Sequence, residues 1–309
     1  MIHFFKRIIY FIVPLVILVI ASELFLRSIP NSYRYKDQWI KSHGGDVKTL
    51  IFGNSITYED IVPSRLDSTF SLANVEQGLE YDNYLLKRYA PLCPNLKIVV
   101  LLIDDGNMYY QPLERDNSHN WHRCIGYKIY MEYPKHSFFS KYNFEISSPM
   151  SARNKLFNCL KSLVKGDKLR AGCDSLGGTS LNFNSLKMTM DESAAISYAK
   201  MRDSNCGCIL PNIKYLEGIK NYCVEHNIRL ILITPPKWRN ASEHIPEWRW
   251  QQIYSYVNNL VDSNNKVEYH NYLLDERFCD NKDNFRDVTH LNNRSAEVFT
   301  KIIMEDLGI

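Results

Sequence analysis

The sequence predicts an α/β fold with a parallel sheet, preceded by a single membrane-spanning helix. Three observations support this prediction: near-continuous apolar runs typical of buried parallel strands, helical patterns that alternate with them, and one long apolar segment near the first residue. With 309 residues, 45% of them hydrophobic, the chain is long enough to bury the core of one good-sized domain or two.

Four segments have the character of strands, and the first three are continuous apolar runs rather than alternating ones. Such runs are expected where both faces of a parallel sheet are covered. Helical patterns precede or follow them, which is the order of elements in βαβ units. The predicted strands are residues 49–53, 97–104, 229–236 and 267–273, and the predicted helices are residues 81–92, 212–227, 247–263 and 293–308.

The N-terminal segment has the length and composition of a membrane span. Residues 8–26 carry one charged side chain, Glu23, and a bilayer-spanning helix needs about 20 apolar residues. A cleaved signal peptide or a buried helix is the alternative, but the run exceeds a usual signal-peptide core and no clear small-x-small site follows. Lys6 and Arg7 favour a cytoplasmic N-terminus. We therefore predict an inner (plasma) membrane anchor in residues 1–30, with residues 31–309 in the periplasm or outside the cell.

Residues 109–205 interrupt the alternation of strands and helices. They contain many aromatic residues and a single helical pattern, residues 151–166. We interpret them as a long insertion within one domain of residues 31–309. Long insertions in compact domains are often functional, so this segment is predicted to form a lid or a wall of the substrate site, with a purely structural elaboration as the alternative.

Charge and cysteine patterns bear on the partners of the chain. The net charge is only +3 and no basic stripe is visible, so no nucleic-acid partner is expected. Eight cysteines permit disulfides in an exported domain, with buried thiols as the alternative. Cys206 and Cys208 are too close for a C-x2-C zinc knuckle and no C-x-x-C occurs, so no metal site is expected.

The stretch TLIFGNSITYED, residues 49–60, places a serine directly after a predicted strand. In open α/β sheets, ligands bind beyond the carboxyl ends of the strands, and Gly53 allows the chain to turn sharply there. Ser55 would then present its hydroxyl at the entry to a helix. Considered alone, a turn or N-cap serine is the commoner explanation.

A second motif, FRDVTHLNNRSAEVF, residues 285–299, lies at the start of the last predicted helix. Asp287 and His290 are three positions apart and can supply the base and the orienting carboxylate of a Ser-His-Asp site. A capping or packing histidine is the alternative. Together with Ser55, this motif predicts a nucleophilic serine more specifically than either motif does alone.

The two motifs together resemble sequence blocks of the SGNH (GDSL-like) hydrolase superfamily. There a G-D/N/S-S block follows the first strand, and a D-x-x-H-L-N-x-x-G-A block precedes the last helix. The corresponding residues here are 53–55, which read GNS, and 287–296, which read DVTHLNNRSA. The resemblance covers residues 47–108 and 210–309. It implies a flavodoxin-like, three-layer α/β/α fold.

The resemblance also implies roles for individual residues: Ser55 as nucleophile, His290 as base and Asp287 as its orienting partner. For the oxyanion donors, the third block, G-x-N-D, is replaced by DDGN at residues 104–107, in which Asn107 is the candidate. The candidate donor from the second block is Gly78, and Gln77 or Asn74 are polar alternatives to it. Asp104 and Asp105 could instead form a metal site or an acid/base pair.

Within the superfamily, the anchor makes the chain similar to membrane-anchored bacterial polysaccharide O-acetyltransferases and DltD-like proteins. This similarity implies a serine esterase or O-acetyltransferase that acts on envelope or capsular polysaccharide through an acyl-serine, without metal or organic cofactor. A multi-pass acyltransferase is a candidate partner.

The alternative is a catalytically degenerate binding or assembly module, since Ile56 stands where many relatives have histidine. A redox or metal protein that uses its cysteines is a third hypothesis, disfavoured by their spacing.

Overall fold

The computed structural model describes residues 2–114, 120–134, 137, 139–180, 190–204 and 206–309. The remaining parts of the predicted insertion lie outside the described residues. The chain divides into two units, Met1–Asp37 with Leu113–Gly172, and Gln38–Pro112 with Cys173–Ile309. The segment predicted as one insertion, residues 109–205, therefore contributes to both units rather than to one.

The secondary structure contains the four predicted strands, the predicted N-terminal helix and the five other predicted helices, together with further elements. The strands are β1 (Thr49–Phe52), β2 (Thr69–Ser71), β3 (Ile98–Leu102), β4 (Arg229–Thr234) and β5 (Val267–Asn271). The helices are α1 (Ile2–Ser28), α2 (Ser32–His43), α3 (Ser55–Asp60), α4 (Leu79–Tyr89), α5 (Asp105–Met108), α6 (Arg123–Tyr130), α7 (Pro149–Lys165), α8 (Glu192–Ser204), α9 (Ile209–Glu225), α10 (Arg239–Glu243), α11 (Glu247–Leu260) and α12 (Asn293–Leu307).

The second unit is built on a five-stranded sheet in the order β2-β1-β3-β4-β5, with every neighbouring pair parallel. This is the flavodoxin-like order, and it confirms the predicted α/β fold. The strand order reverses between β1 and β3, so a crevice is expected beyond the carboxyl ends of these two strands.

Both faces of the sheet are buried, as the apolar runs predict. On one face Ile51, Val100 and Ile231 share a core cluster with Phe299 and Ile303 of α12. Side chains alternate along a strand, so the neighbours of these residues point to the other face. Leu50, Phe52, Val99, Leu101, Leu230 and Leu232 on that face are each at most 1% exposed.

The edge strand β2 is absent from the sequence prediction. Its three residues, Thr69–Ser71, include a single large apolar side chain and therefore give no run and no alternation. The strand forms instead because it pairs with β1 and is covered by a loop that is distant in sequence. The amide of Ser71 donates to the carbonyl of Leu176 at 2.9 Å, which protects the outer edge.

The first unit contains the apolar N-terminal helix α1. Residues Ile9–Ser28 are long and apolar enough to cross a membrane: their apolar 18-residue window has a mean hydropathy of 2.6, and 6% of that window is buried. At the end of this helix, Leu26 and Ile29 pack with Ala152 and Cys159. The Arg27 guanidinium donates to the Asn143 carbonyl at 2.8 Å, which ties the helix end to the rest of this unit.

All eight cysteines lie within the described residues and are free thiols. Six of them are buried, which matches the alternative of ordinary core thiols. Burial raises the pKa of Cys223 to about 12 and that of Cys93 to about 11, so these two stay protonated and unreactive.

Candidate active site

A sharp turn after β1 puts Ser55 at the first position of α3. Gly53 has a φ of +133°, and a β-carbon there would overlap Thr57 Oγ1 and Leu102 Cβ, so the turn requires glycine. Asn54 is the N-cap, and its side chain accepts from the Ile56 amide at 2.9 Å. Ser55 is consequently not the capping residue, and its hydroxyl is left for another contact.

Ser55, His290 and Asp287 form a continuous chain of hydrogen bonds. Ser55 Oγ lies 2.9 Å from His290 Nε2, across 235 positions of sequence. His290 Nδ1 lies 2.9 Å and 3.0 Å from the two carboxylate oxygens of Asp287. We assign the proton to Nδ1 because the carboxylate can only accept there, which leaves Nε2 as the acceptor for the serine hydroxyl.

The loop before α12 holds the carboxylate of Asp287 in a fixed orientation. Its Oδ1 accepts from the amides of Thr289 and His290, each at 2.9 Å. Arg286 Nη2 donates to Oδ2 at 2.7 Å. The Asp287–His290 spacing therefore forms a local turn that aims the imidazole toward Ser55.

The pKa values of Asp287 and His290 are shifted in opposite directions. Burial alone would raise the pKa of Asp287, but the hydrogen bond and charge of His290, with the Thr289 amide and Arg286, hold it well below its usual range. Burial alone would lower the pKa of His290, but the hydrogen bond and charge of Asp287 outweigh burial and raise it. Asp287 is thus ionised, and a protonated His290 is stabilised beside it.

Three further charged residues surround this pair, and no sequence motif indicates them. Arg286 forms an ion pair with Glu59 at 2.7 Å. Asp60 is wholly buried and accepts from the Leu291 amide at 3.0 Å, which fastens the histidine loop to the end of α3. Burial raises the pKa of Asp60 well above its ordinary value. The only sequence signal was adjacency, since Glu59 and Asp60 close the Ser55 stretch and Arg286 precedes Asp287.

Ser55 and His290 open onto a cavity of about 110 Å³ at the reversal point between β1 and β3. Part of its wall comes from the segment predicted as an insertion. Its lining residues are Asn54, Ser55, Ile56, Glu76, Gln77, Gly106, Tyr110, Tyr198, Met201, Arg202, Thr289 and His290.

Neither of the two oxyanion candidates, Gly78 and Asn107, is among the residues that line this cavity. Gly78 is the N-cap of α4 and lines a separate cavity of about 200 Å³. Asn107 is 1% exposed, and its Nδ2 donates to the Leu102 carbonyl at 2.5 Å. Its Oδ1 accepts from the Asp104 amide at 2.9 Å in a capping box. Of the alternatives, Gln77 reaches the cavity, with its Nε2 donating to Asp82 at 2.6 Å.

Asp104 and Asp105 belong to a buried ion cluster with two cations. Lys237, 1% exposed, contacts Asp105 at 2.9 Å and Asp104 at 3.2 Å. Arg202 contacts Asp105 at 3.0 Å and Asp104 at 3.2 Å. Burial would raise the pKa of Asp105, but the charges of Arg202 and Lys237 lower it strongly. The two carboxylates are therefore occupied as counterions rather than arranged as an acid/base pair.

Comparison with known proteins identifies neither a family nor a curated relative. No protein-family model matches the sequence, and no curated protein matches it. Among solved structures, the chain is similar to a GDSL-like lipase from Bacteroides thetaiotaomicron VPI-5482. The identity is 8%, with 85% of this chain and 88% of that chain covered, and the TM-score is 0.39.

Proposed function

We propose that the protein is a serine acyl-transfer enzyme of the SGNH type, an esterase or O-acetyltransferase. One observation carries the proposal: Ser55, His290 and Asp287 are joined at 2.9 Å per step, and the first two open onto a cavity. A nucleophile within hydrogen-bond reach of a base, itself held by a third group, is the arrangement that nucleophilic acyl transfer requires.

In the first half-reaction Ser55 Oγ attacks the carbonyl carbon of an ester, and His290 Nε2 takes the hydroxyl proton. Asp287 stabilises the imidazolium that results. The negative charge moves to the carbonyl oxygen, where the Ser55 amide is one proposed donor, because first-turn amides of a helix have no intrahelical acceptor. The C–O bond to the leaving alcohol then breaks, and His290 returns the proton to that alcohol.

The second half-reaction transfers the acyl group from Ser55 to a hydroxyl. His290 removes a proton from water or from a sugar hydroxyl, and the resulting oxygen attacks the acyl-serine carbon. The Ser55 oxygen leaves and recovers its proton from His290. Hydrolysis and O-acetylation thus use the same three residues and differ only in which hydroxyl the site admits.

We further propose that the enzyme is anchored in the inner (plasma) membrane by residues 8–26 and acts on an envelope or capsular polysaccharide. Support comes from the apolar span Ile9–Ser28 and from Lys6 and Arg7 before it. A multi-pass acyltransferase that delivers the acyl group across the membrane is the proposed partner.

A catalytically degenerate module that binds surface polysaccharide is the second candidate function. The observations that favour it are the side chain of Asn107, which is engaged within its own loop, and Ile56 after the nucleophile. Such a module would keep the fold without turnover.

Labelling with a fluorophosphonate probe distinguishes the two functions. We expect the purified full chain to be labelled, the Ser55→Ala variant to be unlabelled, and a Ser42→Ala control, at an exposed position on α2, to be labelled as before. Labelling that survives Ser55→Ala would exclude Ser55 as the nucleophile. A folded chain that neither labels nor turns over aryl acetates, with or without a glycan acceptor, would favour the binding module.

Activity is expected to fall on acidification as His290 becomes protonated. The base must be neutral to accept the proton of Ser55, and Asp287 raises the pKa of His290 above its ordinary 6.5. Therefore kcat/KM for a neutral aryl ester should be full above this raised pKa and should be lost as the pH falls through it. Asp287 stays ionised throughout, because its pKa lies far lower. An acid limb with a midpoint at or below 6.5 would contradict this assignment.

A further inference from the structure

The wall of the cavity contains a guanidinium group that no sequence motif indicates. Arg202 lies on α8, in the segment predicted as an insertion, and lines the cavity together with Ser55 and His290. Its side chain is 18% exposed, so it is mostly buried yet reaches the open space.

The guanidinium lies directly against the backbone at the end of β3. A β-carbon at Gly106 would overlap the terminal nitrogens of Arg202, so any other residue at 106 would displace it. β3 is the neighbour of β1, which carries Ser55 at its own end. The absence of a side chain at Gly106 therefore lets the cation lie at the end of β3, where it lines the same cavity as Ser55.

Two carboxylates fix the orientation of Arg202. Nε donates to Asp105 at 3.0 Å, and Nη2 donates to Asp105 and Asp104 at 3.2 Å each. The carboxylates are held in turn by Lys237 from the buried side. Nη1 makes no hydrogen bond within the part of the chain that the structure describes. A group with this orientation costs little further ordering when it binds an oxygen.

The charges of the cluster leave Arg202 able to act on a substrate. The two negative charges of Asp104 and Asp105 are balanced by the two positive charges of Lys237 and Arg202. The cluster therefore has no excess of negative charge that would repel an anionic oxygen near the guanidinium. A hydrogen bond from a cation to an anionic oxygen is shorter and roughly twice as strong as one between neutral groups.

We infer that Arg202 is a catalytic residue that donates from Nη1 to the oxyanion formed on the acyl carbonyl oxygen. The inference rests on the proposed acyl transfer at Ser55. It assigns the side-chain donor to Arg202 in place of Asn107, which is not among the residues that line the cavity. The Ser55 amide supplies the backbone donor.

Kinetics with a neutral aryl acetate separate this role from mere binding of an anionic substrate. Arg202→Gln is expected to lower kcat by about 100- to 1000-fold with little change in KM, as for loss of one oxyanion donor. Arg202→Lys keeps the charge but loses the planar fork, so an intermediate loss is expected. Free guanidinium should restore part of kcat to Arg202→Ala.

Arg229→Gln is the matched control, because Arg229 also pairs with a carboxylate, Glu268 at 2.6 Å, but lies at the start of β4. It should keep the wild-type kcat. Wild-type kcat in folded Arg202→Gln, or a rise in KM alone, would overturn the inference for Arg202. If Arg202→Gln does not fold, Arg202→Lys at full kcat overturns it in the same way. If the unsubstituted chain shows no turnover that depends on Ser55, the proposed function is overturned together with the inference for Arg202.

Discussion

Replacement of His290 by alanine is expected to lower kcat/KM toward a neutral aryl acetate by about 10⁴- to 10⁶-fold, the cost of losing the base from a serine triad. The reason is that His290 Nε2 is the acceptor 2.9 Å from Ser55 Oγ. Without it the hydroxyl stays protonated and is a weak nucleophile. Steady-state hydrolysis, corrected for the spontaneous reaction, measures this loss.

The same experiment tests whether Ser55 and His290 act as one unit. The double variant Ser55→Ala/His290→Ala should be no slower than either single variant, because residues of a triad are strongly non-additive. His226→Ala is the control: His226 stacks on Tyr222 at the end of α9 and should leave the rate unchanged. Losses that multiply in the double variant would contradict a shared mechanism.

The exchange Asp287→Asn is expected to lower kcat by about 10⁴-fold while leaving the fold intact. An asparagine can still accept from the Thr289 and His290 amides, which hold this carboxyl group at 2.9 Å. Its NH₂ group, however, would take the place of Oδ2, where it would lose the hydrogen bond from Arg286, face His290 Nδ1 and favour the tautomer with the proton on Nε2. That proton would point at Ser55, so the imidazole could not act as base.

Circular dichroism and thermal unfolding measure the fold of Asp287→Asn, and aryl acetate hydrolysis measures its rate. Asp280→Asn serves as the matched exchange, since Asp280 forms an exposed ion pair with Arg239. It should keep the wild-type rate. If Asp287→Asn retained more than about a tenth of the wild-type kcat, Asp287 would not be the orienting group.

The sheet was largely predictable because its strands are continuous apolar runs. Burial on both faces selects such runs, and β1, β3 and β4 follow the predicted segments to within two residues at each end. β2 was not predictable in this way. Its three residues are held by pairing with β1 and by the Ser71–Leu176 hydrogen bond, and these partners are distant in sequence.

Prediction of the site followed the same division between local and distant contacts. Asp287 and His290 are neighbours whose turn is made by local hydrogen bonds, so their spacing was informative. The contacts of Asn107 are equally local, because its side-chain amide completes the capping box of α5. Arg202 carried no signal, because nothing in its own neighbourhood indicates a partner 97 positions earlier, Asp105.

The sequence by itself determined the elements of this protein and two short motifs, because apolar periodicity and turn chemistry act over a few residues. It also determined the apolar length of the N-terminal helix. Only the tertiary structure decided which side chains meet: Ser55 with His290, Arg202 with the end of β3, and Lys237 with both aspartates. These contacts depend on the strand order 2-1-3-4-5, which brings the carboxyl ends of β1 and β3 together, and no local pattern encodes that order.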